Sequence, residues 1–109
     1  MSTSMIKCKP LLAKVTSIAQ GGEYTLPSNK NWNSLHVALC TNDYYLGPVL
    51  RIVSSGVGVL IYGHDGWVAL AKFTADSSTR KITFSSLSTV VGTKASTWNI
   101  SLYVFAEDV

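Results

Sequence analysis

The residues of this chain whose types could best take part in catalysis are His64 and Asp65, which are adjacent and have a glycine on either side. A serine-type hydrolase needs a hydroxyl nucleophile, an imidazole and a carboxylate that meet in three dimensions. Neighbouring side chains in a glycine-flanked turn do not converge in this way. The sequence also lacks the Gly-x-Ser-x-Gly segment that presents a nucleophile in many hydrolases. The pair therefore indicates a turn, and no catalytic residue is predicted.

Two other kinds of reactive site are disfavoured by residue spacing. His36 and His64 have no third ligand at a spacing that suits a metal ion. Residues 54–58, Ser-Ser-Gly-Val-Gly, contain the glycines of a phosphate-binding loop but not its Lys-Ser/Thr pair, so Gly58 is interpreted as a glycine in a strand or bulge. The six acidic residues form no pair at the spacing expected of glycosidase acids. We expect no enzymatic activity, no metal and no cofactor.

Aromatic residues beside two turns are better suited to binding than to catalysis. Shallow sugar- or protein-binding sites combine an aromatic ring face with a few polar side chains. The predicted receptor-binding residues are Tyr44, Tyr45, His64, Asp65 and Trp67. The alternative is that Tyr44 and Trp67 belong to the core or to a subunit interface.

The elements that position these residues are short strands. Residues 35–40 alternate between an apolar face and a second face that carries His36 and Cys40, which is typical of a half-buried strand. Turns rich in Gly, Asn, Asp and Ser recur about every ten residues. Strands are predicted at residues 11–18, 24–26, 35–40, 49–53, 57–62, 67–73, 81–85 and 98–105. A short helix is an open alternative for residues 11–18, and residues 86–96 are predicted to be a looser connection.

This pattern predicts an all-β fold, a jelly-roll-like antiparallel sandwich of seven to eight short strands. Residues 11–109 form one sandwich domain, and residues 1–10, which end at Pro10, form an N-terminal arm. In the last strand, Tyr103 and Phe105 alternate with an apolar set on the other face. We therefore expect the Tyr103 face to be covered by a loop or by a neighbouring subunit, and Tyr103, Phe105 and His36 are the predicted oligomer interface.

Composition supports self-association and excludes some partners. Charged residues are only 14% of the chain, about half the usual share, so much of the surface is suited to contact with other copies. The net charge of +3 is scattered rather than clustered, which disfavours nucleic-acid binding. No apolar run suits a signal peptide or a membrane span, so we expect synthesis in a cytoplasm and no membrane insertion. Cys40 is interpreted as an apolar filler, and a bridge between Cys8 and Cys40 remains open.

Residues 22–27, Gly-Glu-Tyr-Thr-Leu-Pro, are followed by Trp32 and by residues 35–39, Leu-His-Val-Ala-Leu. This opening resembles that of the small β-sandwich domains at the tips of bacteriophage tail fibres. The resemblance extends over about residues 15–106 and includes the Ser/Thr-rich segment 80–84 and the amphipathic final strand. It implies a homotrimer in the virion tail, made in the host cytoplasm, that works beside other tail proteins. Loops at one end would bind a host glycan or outer-membrane protein, and no catalytic motif carries over.

Two alternative functions remain open at this point. A virion decoration or assembly protein would dock its N-terminal arm on another virion protein and would need no receptor. A cellular carbohydrate-binding module would be a monomer.

Overall fold

The computed structural model describes residues 6–7, 12–41, 44–64, 66–92 and 99–109. Within these ranges the chain forms ten strands and one short 3-10 turn, Trp32–Ser34. The strands are β1 (Ile6–Lys7), β2 (Lys14–Ile18), β3 (Glu23–Thr25), β4 (His36–Thr41), β5 (Tyr44–Tyr45), β6 (Leu50–Arg51), β7 (Gly56–His64), β8 (Trp67–Asp76), β9 (Lys81–Val91) and β10 (Ser101–Phe105). The all-β prediction is confirmed, with more strands than the seven to eight expected.

Two antiparallel sheets pack face to face, as predicted. The first sheet has the order β1-β5-β4-β10-β2, and β6 also pairs with β4. The second sheet has the order β3-β9-β8-β7, in which β7, β8 and β9 are consecutive in the chain and form a meander. Strand β2 confirms the strand interpretation of residues 14–18 over the helical alternative.

The core lies between the two sheets. The first sheet contributes Val37, Leu39, Leu102 and Val104, all fully buried, which confirms the predicted alternation in β4 and β10. The second sheet contributes aromatic and aliphatic residues that alternate with exposed ones along each strand. These inward residues are Leu60, Tyr62, Ala69, Ala71, Phe73, Ala75, Ile82 and Phe84.

Strand β4 is buried on both faces, so the prediction of a half-buried strand is wrong from Val37 onwards. On the face away from the core, Ala38 and Cys40 pack with Phe105 in a second apolar cluster. Leu12, Tyr45 and Tyr103 pack against that cluster. The chain itself therefore supplies the cover that the sequence pattern required. Cys8 lies outside the described residues, so the possible bridge between Cys8 and Cys40 stays an open prediction.

Two predicted boundaries also change. Strand β9 continues to Val91, so residues 86–91 are not a loose connection. They pair with β8 from Ser86–Lys72 to Val91–Val68, and the pairing of β8 with β9 contains two irregularities in register.

At the other end of the chain, Ile6–Lys7 pair with Tyr44–Tyr45, so at these two residues the predicted arm lies on the edge of the first sheet. The remainder of residues 1–10 lies outside the described ranges.

Gly58 is required by the packing of the Phe73 ring across β7 within the second sheet. It lies within β7, as predicted, and pairs with Phe73 of β8. A Cβ at this position would overlap the ring of Phe73, which is one of the largest fully packed side chains of the core. The ring occupies the space that any other residue at position 58 would need.

We expect Gly58→Ala to destabilise the protein by about 1–3 kcal/mol, because a methyl group would be forced into a packed aromatic ring. Urea denaturation of Gly58→Ala, Phe73→Leu and the double variant measures the effect. The smaller side chain of Phe73→Leu should relieve the overlap, so the double variant should lose less stability than the sum of the single variants. Strict additivity would contradict the contact.

One end of the sandwich is held together by Arg80, and we call it the Arg80 end (residues 26–31, 77–80 and 106–109). Arg80 has a φ of 58°, a conformation that non-glycine residues rarely adopt. Its Nε donates to the carbonyl of Leu26 at 3.1 Å, and its Nη2 donates to the carbonyls of Pro27 and Lys30. Nearby, Lys30 forms an ion pair with Asp108 at 2.7 Å. One guanidinium group thus fixes the loop that follows β3.

We expect Arg80→Ala to cost about 2 kcal/mol, because three carbonyl oxygens lose a charged donor and the backbone strain remains. Thermal and urea denaturation measure the loss. Lys72→Ala, which changes an exposed charge on β8, is the matched control and should cost less than about 0.5 kcal/mol. Equal effects of the two substitutions would show that the carbonyl contacts contribute little.

Candidate binding site at one end of the sandwich

The ends of six strands lie at the end of the sandwich opposite Arg80. Strands β4 and β5 meet at the pair Thr41 and Tyr44, and β7 and β8 meet at the pair His64 and Trp67. Strand β9 ends next to the start of β8, because Val91 pairs with Val68. Strand β10 begins next to the end of β4, because Ser101 pairs with Cys40. We call this region the loop end (the described residues 41, 44–45, 63–64, 66–68, 90–92 and 99–101).

The segment that follows β5 brings the two sheets together at the loop end. Gly47, with a φ of 100°, lies against the carbonyl of Ile61 and the ring of Tyr62. From there the chain runs antiparallel to β7, since Leu50 and Val53 line the same cavity as Val57. Tyr44 precedes Gly47 by three residues and therefore lies towards the β7–β8 turn.

The two predicted tyrosines occupy different environments. Tyr44 is 39% exposed at the loop end. Tyr45 is half-buried and packs edge-on against Phe105, with ring centroids 6.3 Å apart. Tyr44 therefore offers a ring to an external ligand, whereas Tyr45 mainly closes the second apolar cluster.

The other three predicted receptor-binding residues belong to the β7–β8 turn. His64 pairs with Trp67, which confirms the predicted hairpin between β7 and β8. Gly63 and His64, which were predicted to lie in the turn, belong to β7 instead. Gly66 has a φ of 85°, the left-handed conformation that such turns require. Asp65 lies outside the described residues, and the side chains of His64 and Trp67 are not described. The structure thus brings the backbone of this turn to the same end as Tyr44.

Two residues of the loop end were missed by sequence reasoning. Val90 and Val91, at the end of β9, are 59% and 55% exposed. They fell in the segment predicted to be a loose connection. The consecutive β-branched residues Thr89, Val90 and Val91 were the available signal for a strand.

The predicted interface residues lie on the first sheet, away from the loop end. Phe105 is 2% exposed and is covered by its own chain. Tyr103 is half-buried, and the Lys14 ammonium lies 4.5 Å from its ring centroid, in a cation–π contact. His36 places Nδ1 2.7 Å from the carbonyl oxygen of Ser34. Whether Tyr103 and His36 contact another copy stays a prediction.

The chemistry of the loop end is that of a ring face and apolar side chains. Within the described ranges, no group of three or more His, Cys, Asp or Glu residues is placed to hold a metal ion. No helix in those ranges has the length and apolar character needed to cross a membrane. Such a surface can bind a ligand by stacking and by apolar contact.

Comparison with protein families, with curated proteins and with solved structures finds no match to this chain.

One carboxyl group with a shifted pKa lies far from the loop end. Asp76 accepts hydrogen bonds from the hydroxyl of Ser78 at 2.7 Å and from its backbone N–H at 3.0 Å. These bonds favour the charged form, and they lower the pKa of Asp76 from 3.8. The carboxylate therefore stabilises the β8–β9 turn.

Because the folded pKa of Asp76 is depressed, its contribution to stability is present above pH 3.8 and is lost as the pH falls through the folded pKa. We expect the wild-type protein and Asp76→Asn to differ in urea midpoint at neutral pH and to converge in acid. NMR titration of the Asp76 carboxyl measures the pKa directly. In Ser78→Ala, which lacks the hydroxyl donor, that pKa should return towards 3.8; an unchanged value would contradict the assigned cause.

Proposed function

We propose that this protein is a non-enzymatic receptor-binding protein of a bacteriophage tail, and that the loop end contacts a glycan or protein on the host surface. The observation that carries the proposal is that the ring of Tyr44 and the side chains of Val90 and Val91 are exposed at one end of the sandwich, where strands of both sheets end. The resemblance of residues 22–39 to the opening of tail-fibre tip domains supplies the biological setting.

The distribution of internal polar contacts supports binding at the loop end rather than at the opposite end. The Arg80 end is closed by side-chain hydrogen bonds to backbone carbonyls and by the ion pair between Lys30 and Asp108. At that end the charged groups of Arg80, Lys30 and Asp108 already have partners within the chain. At the loop end an aromatic ring and two valines remain available to a ligand, and a ring face suits the apolar side of a sugar.

Several copies on one particle would strengthen a weak contact of this kind. A shallow site gives modest affinity, and simultaneous engagement of linked copies multiplies it without new contacts. The tail-fibre resemblance favours three copies in the virion, next to other tail proteins. Binding alone is then sufficient for adsorption, and no cofactor, metal or catalytic step is involved.

The decoration or assembly alternative draws less support from the structure. That function needs an N-terminal arm available to a second virion protein. Ile6–Lys7 instead pair with β5 of their own chain, which lies beside the loop end. The third alternative, a monomeric carbohydrate-binding module, would use the same exposed ring and differs in oligomeric state.

Fluorescently labelled protein, incubated with a panel of bacterial cells and with an array of bacterial surface polysaccharides, tests the proposal. We expect Tyr44→Ala and Trp67→Ala to reduce binding at least fivefold, about 1 kcal/mol per site, with the fold unchanged by circular dichroism. Val53→Ala is the matched control, because Val53 is 77% exposed but lies on the β6–β7 connection, away from the loop end.

Three results would contradict the proposal. Binding that survives both loop-end substitutions would place the contact elsewhere on the protein. An absence of binding to every cell type, together with incorporation into particles, would favour the assembly alternative. Hydrolysis of an array polysaccharide would overturn the non-enzymatic assignment.

A further inference from the structure

A cavity of about 160 Å³ opens on the side of the sandwich, between β6 and the start of β7. Its apolar walls come from Leu50, Ile52, Phe73 and Ala75. Sites for small ligands are typically concave and mostly apolar, with a few polar groups that fix the orientation of the ligand. The cavity lies about six residues along β7 from the β7–β8 turn, roughly 20 Å from the loop end, and is therefore a separate site.

The cavity exists because two inward positions of β7 are glycine. Gly56 pairs with Ala75 and Gly58 pairs with Phe73, and both of these partners face the core. A Cβ at Gly56 would meet no atom within 4 Å, so no side chain fills the space beside it. At Gly58 the ring of Phe73 takes the place of a side chain. One wall is thus an aromatic ring, and the margin of the cavity is bare strand.

At this margin the backbone of Val57 faces away from β8. His64 and Trp67 close a two-residue turn, and the closing pair of such a hairpin exchanges both backbone hydrogen bonds. Hydrogen-bonded pairs then alternate along the strand, so the N–H and C=O groups of Val57 point outward. In the described part of the chain, no backbone hydrogen bond reaches them from another segment. The side chain of Val57 is 67% exposed, and Val57 therefore offers the cavity a donor and an acceptor side by side.

The mouth of the cavity is anchored at both of its ends. The Ile52 N–H donates to the carbonyl of Leu35 at 2.9 Å. Ser55 Oγ accepts from the Ser77 N–H at 2.8 Å and lies 2.9 Å from the Ser77 hydroxyl. Ser54, between the two anchors, is exposed and lines the cavity. A site that is formed before the ligand arrives loses less entropy on binding.

The size and the polar groups of the cavity select a kind of ligand. A cavity of roughly 150 Å³ holds one six-membered ring. The paired donor and acceptor of Val57 suit a hydroxyl group, which both donates and accepts. Arg51 is the one charged residue among the described residues that line the cavity, and its Nη2 already donates to the Asn33 carbonyl at 3.2 Å. Because the Val57 carbonyl would repel an anion, a neutral ring with hydroxyl groups on one side and an apolar group on the other fits best.

We propose that this cavity binds a 6-deoxyhexose, presented as the terminal residue of a glycan. The methyl group of the sugar lies against Phe73 and Ala75, and its hydroxyl groups bond to the backbone of Val57 and to Ser54. The parent hexose carries a hydroxymethyl group in place of the methyl group. Its extra hydroxyl would meet the apolar wall without a hydrogen-bond partner, which is unfavourable. The cavity therefore discriminates between two sugars that differ by one oxygen atom.

Amide NMR titration of the whole chain with methyl glycosides tests the proposal. The sugars are the gluco, manno and galacto forms of the 6-deoxyhexose, each beside its parent hexose. One sugar ring in a small site gives weak affinity, so we expect a dissociation constant in the millimolar range for one of the deoxy forms. Its saturable shifts should fall on Gly56, Val57 and Gly58 and not on Val90 or Val91. The parent hexose should bind about fivefold more weakly or worse.

Two variants locate the site. Ala75→Leu fills the cavity and should weaken binding about tenfold or more, with the fold checked by circular dichroism. Ser54→Ala removes one hydroxyl from the exposed mouth, where it cannot disturb the core, and should weaken binding about threefold. Val59→Ala is the matched control, because Val59 belongs to the same strand but its side chain is 44% exposed outside the cavity. Tyr44→Ala, at the loop end, should also bind as the wild-type protein does.

Four results would overturn the proposal. The first is the lack of a saturable shift with all three deoxy sugars, and the second is equal affinity for the deoxy and parent sugars. The third is a set of shifts centred on the loop end. The fourth is binding of benzoate in preference to every sugar, abolished by Arg51→Gln, which would assign the cavity to an anion. Because the free sugar is the probe, the result is independent of what the loop end binds.

Discussion

The whole structure depends on the burial of β4 on both of its faces. One face meets the second sheet through Val37 and Leu39, and the other lies beneath the cluster of Ala38, Cys40 and Phe105. A strand in this position has no water on either side, so each backbone group must find a partner in a neighbouring strand. That requirement explains why β10, β5 and β6 all pair with β4. The loop end, which we propose as the binding surface, lies at the margin of this arrangement.

The margins differ because the two sheets differ in length. Strands β7, β8 and β9 have nine to eleven residues, whereas those of the first sheet have two to six. Val90 and Val91, at the end of β9, are exposed, as are Val57, Val59 and Ile61 of β7. These exposed apolar residues lie on the long strands of the second sheet, whereas other residues of the same strands fill the core.

Much of the fold could be predicted from local sequence. The hairpin between β7 and β8 follows from the glycines at positions 63 and 66, and β10 follows from strict alternation. The full length of β9 was harder to predict, because Ser85, Ser86 and Ser88 interrupt the apolar pattern. The pairing of this strand with β8 also contains two irregularities in register. The double burial of β4 was not predicted, because its second face packs with Leu12, Tyr103 and Phe105 from distant parts of the chain as well as with Tyr45 of the next strand. Among the site residues, Tyr44 and Tyr45 look equivalent in sequence, and only the packing of Tyr45 on Phe105 separates them.

The strand order has a consequence for how the polypeptide folds. The second sheet is largely a meander of neighbouring strands, so most of its pairing closes short loops at a small cost in entropy. The first sheet is different, because β10 lies between β4 and β2, both of which precede the whole meander in the chain. Until β10 pairs, one flank of β4 is empty, and a partly folded chain in this state exposes apolar residues. Closure of the first sheet therefore waits for pairing between distant parts of the chain, and deletion of β10 would leave an aggregation-prone fragment.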